Sequence, residues 1–88
     1  MDIEKIKEIY GDSVIALIKQ NIDDISINIK YLKKIGFTDI EDIFERYVYI
    51  FIEDNDSFKS KINKFINIIG ENYVSILENN MELWEKLL

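Results

Sequence analysis

Two isoleucine–glycine pairs, 34 residues apart (70 − 36 = 34), constrain the fold of this chain more than any other feature. Ile35-Gly36 and Ile69-Gly70 each end an amphipathic segment, and each is followed by polar residues and a second amphipathic segment. The same spacing brings apolar residues into register: Leu32 with Ile66, Ile40 with Val74, and Ile43 with Leu77. A fixed period of this size is typical of helical repeats. Residues 28–78 therefore predict two copies of one helical unit.

Glycine and proline usage supports the same division of the chain. There is no proline, and the third glycine, Gly11, also follows a short amphipathic segment. Glycine readily adopts the positive φ with which many helices end. When Gly11 is laid on Gly70, the N-terminal part matches as a third, shortened copy. We expect a helix to end at each of the three glycines.

Apolar residues recur mostly at intervals of three and four, the period of an amphipathic helix. The spacing predicts helices over 3–10 and about 26–35, a short helix from Ile40 to Tyr47, a long helix ending at Gly70, and a last helix that buries Leu87 and Leu88. Polar residues before the other segments fit N-caps. The predicted caps are Asp12 or Ser13, a capping box of Thr38 and Glu41, Asp56 or Ser57, Asn72, and Asn79 or Asn80.

Residues 47–52 have the aromatic and β-branched composition of a strand. A lone strand would leave its backbone groups unpaired in a chain that is otherwise helical. We therefore expect the helix to end near Tyr47 and a turn to bury Ile50 and Phe51. The aromatic residues are expected mainly in the core, with Tyr49 and Trp84 as candidates for partial exposure.

Composition limits the classes of function. The 88 residues are enough for one domain, residues 1–88, and the apolar fraction of 48% argues against disorder. A net charge of −6 disfavours nonspecific attraction to nucleic acid or anionic lipid. The acidic start lacks the basic region of a signal peptide, and no apolar run could span a membrane. We expect a cytoplasmic protein.

Catalytic and metal-binding patterns are missing from the sequence. Without histidine or cysteine there is no nucleophile–base pair and no thiolate or imidazole ligand. The segment beginning at Asp54 is weakly similar to a calcium loop, but its sixth residue is Lys59 rather than glycine and its twelfth is Phe65 rather than glutamate. We expect no enzyme activity, no metal and no cofactor.

One family shares the order of these segments. The run from Tyr31 through Gly36 and Phe37 to Gly70 resembles the repeat of mitochondrial transcription termination factors, the mTERF repeat. Its apolar positions here are Leu32, Ile35, Ile40, Ile43, Phe44, Phe58, Ile62, Phe65, Ile66 and Ile69. The family usually has a proline after the short helix, and this chain has none. Family members also have several repeats and a basic concave surface, whereas this chain is short and acidic. The resemblance implies a right-angled stack of helix pairs and nucleic-acid contact as a candidate function, and it does not imply an enzyme.

Lysines on the two long predicted helices are the first candidate for a binding surface. Lys30 and Lys64 lie one period apart, and the full set is Lys30, Lys33, Lys34, Lys59, Lys61 and Lys64. On neighbouring helices such a stripe could neutralise phosphates. The alternative interpretation is that these lysines form the solvated faces of two amphipathic helices.

Acidic residues form the second candidate surface. Within residues 39–56 only Arg46 opposes them, and the set is Asp39, Glu41, Asp42, Glu45, Glu53, Asp54 and Asp56. They could contact a basic protein, or mimic nucleic acid and inhibit a protein that binds it. They could equally complement helix N-termini and keep the surface solvated.

These patterns predict an all-α fold of six or seven short helices in a compact right-angled stack of about two to three helical repeats. The predicted function is noncatalytic binding of another protein. Nucleic-acid binding through the lysines, and inhibition by an acidic mimic of nucleic acid, are the alternatives.

Overall fold

A computed structural model describes residues 3–87, and every regular element within that range is a helix. In chain order the elements are α1 (Ile3–Tyr10), α2 (Asp12–Gln20), α3 (Ile22–Lys34), α4 (Ile40–Arg46), α5 (Val48–Phe51), α6 (Asn55–Ile69), α7 (Tyr73–Asn79) and a C-terminal 3-10 helix (Met81–Leu87). The radius of gyration is 12.7 Å, near the roughly 12 Å expected for a compact chain of this length. The prediction of a compact all-α stack is confirmed.

Helix α3 lies at the centre of the fold and packs against α2, α4, α5 and α6. Its residues Ile25 and Leu32 are fully buried. Three phenylalanines continue the core from α4 through α5 to α6, with ring centroids 5.2 Å apart for Phe44 and Phe51 and 5.5 Å for Phe51 and Phe58. Burial of each such side chain contributes about 1.5–3 kcal/mol. The short helices are therefore stabilised mainly by packing around α3.

Residues 47–52 do not form a strand, as expected. Val48–Phe51 is a single helical turn, and Ile50 and Phe51 are both buried. Tyr49 is about half exposed, at 51%, whereas Trp84 is fully buried. The expectation of partial exposure is therefore confirmed for Tyr49 and wrong for Trp84. The indole Nε1 of Trp84 donates a hydrogen bond to the carbonyl of Leu77, which satisfies its polar group inside the core.

All three glycines adopt positive φ where a helix ends: 89° at Gly11, 110° at Gly36 and 94° at Gly70. After α3, the N–H of Gly36 donates to Lys33 O and the N–H of Phe37 donates to Leu32 O. This is the hydrogen-bond pattern of a Schellman motif, which satisfies the free carbonyls at a helix end. The predicted helix ends at glycine are confirmed.

The N-terminal caps were predicted less well. Gly11, not Asp12 or Ser13, precedes α2, and α3 begins four residues early, at Ile22 rather than Ser26. Asn72 does precede α7, but its side chain makes no cap hydrogen bond. The cap of α6 is Asp54, whose carboxylate accepts the N–H of Ser57 at 3.2 Å. The predicted burial of Leu88 lies outside the described residues.

The capping box of Thr38 and Glu41 is also wrong. Asp39 precedes α4 without a side-chain cap. Thr38 instead donates its N–H (2.9 Å) and its hydroxyl (3.1 Å) to the carboxylate of Glu78 on α7. A contact between distant segments thus replaces the local one.

Asn28 is a fully buried polar side chain on the core face of α3. Its Nδ2 donates to the carbonyls of Phe51 and Glu53, each at 2.9 Å. Its Oδ1 accepts a hydrogen bond from Nδ2 of Asn55 at 3.0 Å. One amide therefore satisfies a polar group at the end of α5, one in the connection that follows, and one at the start of α6.

We expect Asn28→Ala to lower the free energy of unfolding by about 2 kcal/mol, because two carbonyls and one amide lose their buried partner. Asn67→Ala is the matched control, since Asn67 is exposed on α6 and its change should stay within about 0.5 kcal/mol. Chemical denaturation of both variants measures the difference. Equal stability of the two variants would contradict the structural role of Asn28.

Gly36→Ala and Gly70→Ala should each lower the free energy of unfolding by about 1 kcal/mol, because a Cβ disfavours positive φ. A Cβ at Gly70 would meet no atom within 4 Å, and one at Gly36 would make an ordinary 3.5 Å contact with Val74. The cost is therefore conformational rather than steric crowding. Ser60→Ala, on the exposed face of α6, is the control and should be slightly stabilising. Higher melting temperatures for both glycine variants would refute this interpretation.

Candidate functional site

An apolar groove of about 510 Å³ opens between α6 and the C-terminal 3-10 helix. Its apolar lining residues are Phe65, Ile68, Ile69, Leu83 and Leu87. Ile68 is 85% exposed, the highest value among the exposed large apolar side chains of residues 3–87. Isolated apolar residues on a surface are common, but here an exposed one extends a row of partly buried ones. The groove is therefore a contiguous apolar surface.

The periodicity of α6 explains how this surface arises beside the core. Phe58 and Ile62 face the core and are buried. Lys61 and Phe65 are four residues apart, as are Lys64 and Ile68, so these side chains share a neighbouring face of the helix. Through Phe65 and Ile68, apolar surface thus extends from the core side of α6 onto a second, open side.

The opposite wall is one side of the C-terminal 3-10 helix. Met81, Trp84 and Leu87 are spaced by three and face the core, with Trp84 and Leu87 buried. Leu83 and Lys86, also three residues apart, line the groove together with the edge of Leu87. An α-helical period would place Leu83, Lys86 and Leu87 on one face as well, since they are three and four residues apart.

Three lysines are the charged residues that line the groove: Lys61, Lys64 and Lys86. The Nζ of Lys61 forms an ion pair with Glu53 Oε1, while Glu53 Oε2 is buried without a hydrogen-bond partner. Among the residues that the structure describes, no carboxylate pairs with Lys64 or Lys86. The groove is therefore locally cationic in a chain of net charge −6.

The acidic residues of the 3-10 helix lie on a different side from the groove. Burial raises the pKa of Tyr47, and the negative charge of Glu85 raises it further. The positive charge of Arg46 lowers this pKa, and Glu82 raises it by the smallest amount. Glu82 and Glu85 are one 3-10 turn apart and do not line the groove. They therefore leave the positive rim intact.

The six lysines predicted as a stripe do not surround one site. Helices α3 and α6 do pack side by side. However, Lys59 lies over the ring of Tyr31, with Nζ 5.4 Å from the centroid, and Lys33 lines a separate pocket of about 120 Å³. Lys30 and Lys34 are exposed on α3. Only Lys61 and Lys64 reach the groove, and the sequence reasoning missed its third lysine, Lys86.

The predicted acidic surface also divides into two parts. Asp39, Glu41, Asp42 and Glu45 line one depression of about 430 Å³ together with Lys5 and Thr38. Within it, the Nζ of Lys5 lies 2.9 Å from Glu45, whose side chain is 11% exposed, and Arg46 pairs with Asp42 at 3.2 Å. The other acids lie further along the chain: Glu53 and Asp54 in the connection between α5 and α6, and Asp56 in the first turn of α6. Basic partners within the chain offset part of this negative charge.

A neighbouring depression brings the carboxyl groups of Asp39 and Glu78 together. The pKa of Asp39 is raised, mainly by a hydrogen bond to Glu78 and to a smaller extent by the negative charge of Glu78. A protonated Asp39 can donate to Glu78, whereas an ionised one repels it. Because the folded state binds this proton more tightly, the contribution of the pair to stability is full below the ordinary pKa of 3.8 and is lost as the pH rises through the raised value.

Asp39→Asn should therefore raise the melting temperature at pH 7, because an amide donates to Glu78 without carrying charge. The advantage over the natural chain should disappear in acid, below the ordinary aspartate pKa, where Asp39 is itself protonated. Thermal melts at several pH values measure this. Glu71→Gln removes one charge beside the same depression and serves as the control. An advantage for Asp39→Asn that persists unchanged into acid would contradict the shared proton.

The part of the chain that the structure describes contains neither a metal-binding cluster nor a membrane-spanning helix. Among residues 3–87 there is no group of three potential metal-ligating side chains. Within the same range, no helix combines the length and the apolar character needed to cross a membrane. Comparison with known protein families, curated proteins and solved structures finds no match for this chain.

Proposed function

We propose that this chain is a noncatalytic module that binds another protein, and that the groove between α6 and the 3-10 helix is its binding surface. The observation that carries the proposal is the apolar lining with a highly exposed Ile68 and a rim of three lysines. Contiguous apolar surface framed by polar side chains marks interaction sites, since its burial by a partner is favourable.

The lining of the groove supports binding rather than catalysis. As far as residues 3–87 form it, the lining consists of apolar side chains and lysines, without a side-chain carboxylate, hydroxyl or amide. Acid–base or nucleophilic chemistry requires a reactive group held by a second polar group. A protein partner requires only complementary shape and charge.

The order of the helices supports a helical-repeat origin, which we include in the proposal. A long helix, a short helix and a short final element occur twice, as α3–α4–α5 and as α6–α7 and the 3-10 helix. Buried residues recur at the spacing of 34: Ile43 with Leu77, and Ile50 with Trp84. The similarity to the mTERF repeat stays a prediction and is the main reason for considering nucleic acid.

Nucleic acid is the second candidate partner. Lys30, Lys33 and Lys34 are exposed on α3 and have no ion-pair partner among the described residues. The net charge of −6 opposes approach of a polyanion. Among the large apolar side chains of residues 3–87, the most exposed one lies in the groove rather than beside these lysines. A protein partner accounts for both properties.

Site-specific photo-cross-linking in the native host tests the choice. A photoreactive amino acid at Ile68 should give a discrete adduct that protease removes and nuclease does not. The same amino acid at Tyr49, which is 51% exposed on α5, is the control and should not give this adduct. Adding Lys64→Glu should reduce the adduct at position 68.

Two outcomes would overturn the proposal. An adduct that nuclease removes would promote the nucleic-acid alternative. An identical adduct from positions 49 and 68, or none from position 68, would show that the groove is not the binding surface.

A further inference from the structure

We propose that the segment bound in the groove is an acidic amphipathic helix of the partner protein. This inference rests on the proposed function and specifies the chemistry of the partner. Three observations support it: the helical walls of the groove, the positive charge of its rim, and the negative charge of much of the surface outside it.

The walls favour a helix over an extended peptide. An extended peptide commonly binds by adding a strand to a sheet edge, and residues 3–87 contain no strand. A polyproline segment binds between several aromatic rings, whereas Phe65 is the one aromatic residue that lines this groove. An apolar stripe spaced by three and four residues fits between two helical walls. From Lys61 to Ile69 the α6 wall extends about 12 Å, the length of roughly two helical turns.

The rim selects the charge of that helix. Lys64 and Lys86 lie on opposite walls, and neither pairs with a carboxylate of the described chain. Glu53 already neutralises part of the charge of Lys61. A helix that carries glutamate or aspartate on both sides of its apolar stripe would place a carboxylate near each free lysine. Lysines in the same positions of the bound helix would meet like charge.

The remaining surface disfavours an acidic helix around Asp39. The net charge is −6, and the two depressions around Asp39 contain several carboxylates. An acidic helix is repelled there and attracted where the local charge is positive, at the groove and at the exposed lysines of α3. The groove adds an apolar lining of five residues to its positive charge, so it is the favoured site, and the association rate should fall as the salt concentration rises.

Fluorescence anisotropy with two matched synthetic helices tests the proposal on the full chain. Both peptides carry leucines spaced by three and four; one has glutamates beside that stripe and the other has lysines. We expect the acidic peptide to bind at least about tenfold more tightly than the basic peptide. The double variant Lys64→Glu with Lys86→Glu should reverse this preference. A third peptide, with the acidic composition but a scrambled leucine stripe, should not bind.

Lys30→Glu with Lys34→Glu is the matched control, because it makes the same change of charge at exposed positions outside the groove. It should preserve the preference for the acidic peptide. Ile68→Ser should weaken binding of the acidic peptide without altering the fold, since Ile68 is 85% exposed. Circular dichroism of each variant checks the helix content.

Equal binding of both peptides, or a preference for the acidic peptide that survives in the groove variant, would overturn the proposal. A protease-sensitive adduct at position 68 together with preference for the basic peptide would reject the acidic helix and leave the proposed function standing. Tight binding of a fluorescent fatty acid that Lys64→Glu abolishes, without peptide binding, would also reject it. Failure of both the cross-linking and the peptide experiments would remove the groove as a binding site.

Discussion

The hydrogen bonds of Asn28 join the core of the fold to the start of α6, the helix that forms one wall of the groove. The amide lies on the central helix α3 and binds the end of α5, the connection that follows and the start of α6. Buried polar groups are costly unless they are satisfied, so this connection has one favourable position against α3. Asp54, which caps α6, lies in that connection. The start of α6, and with it the wall of the groove, is therefore set from the core.

Aromatic hydroxyls fix other helix ends to distant helices. Tyr73 on α7 donates to the carbonyl of Ile35 at the end of α3, and Tyr10 on α1 donates to the carbonyl of Glu45 near the end of α4. Carbonyls at a helix C-terminus lack partners within the helix. In this small fold, tertiary contacts supply some of those partners. Such contacts help to explain how helices of seven or eight residues, which are marginal alone, persist together.

The sequence predicted the features that depend on neighbouring residues, namely the apolar spacing and the glycines at helix ends. It did not predict where Thr38 or Asn28 would bind, because their partners, Glu78 and the carbonyls after α5, are distant along the chain. The groove likewise contains lysines that the sequence pattern predicts and one that it does not. Lys61 and Lys64 are expected from the 34-residue register and from their place on a long helix, whereas Lys86 lies on the short C-terminal helix, outside that pattern. Which of the lysines would share a groove depends on helix packing.

The ion pair of Lys61 with Glu53 distinguishes this lysine from Lys64 and Lys86, the other two lysines on the groove rim. The backbone carbonyl of Glu53 accepts a hydrogen bond from Asn28, and its carboxylate pairs with the Nζ of Lys61. A partner that contacts Lys61 therefore competes with a carboxylate already in place. Lys64 and Lys86 have no such competitor among the described residues, but their side chains must be ordered upon binding. The same charge thus carries a different cost at each of the three positions: displacement of a carboxylate at Lys61, and loss of side-chain freedom at Lys64 and Lys86.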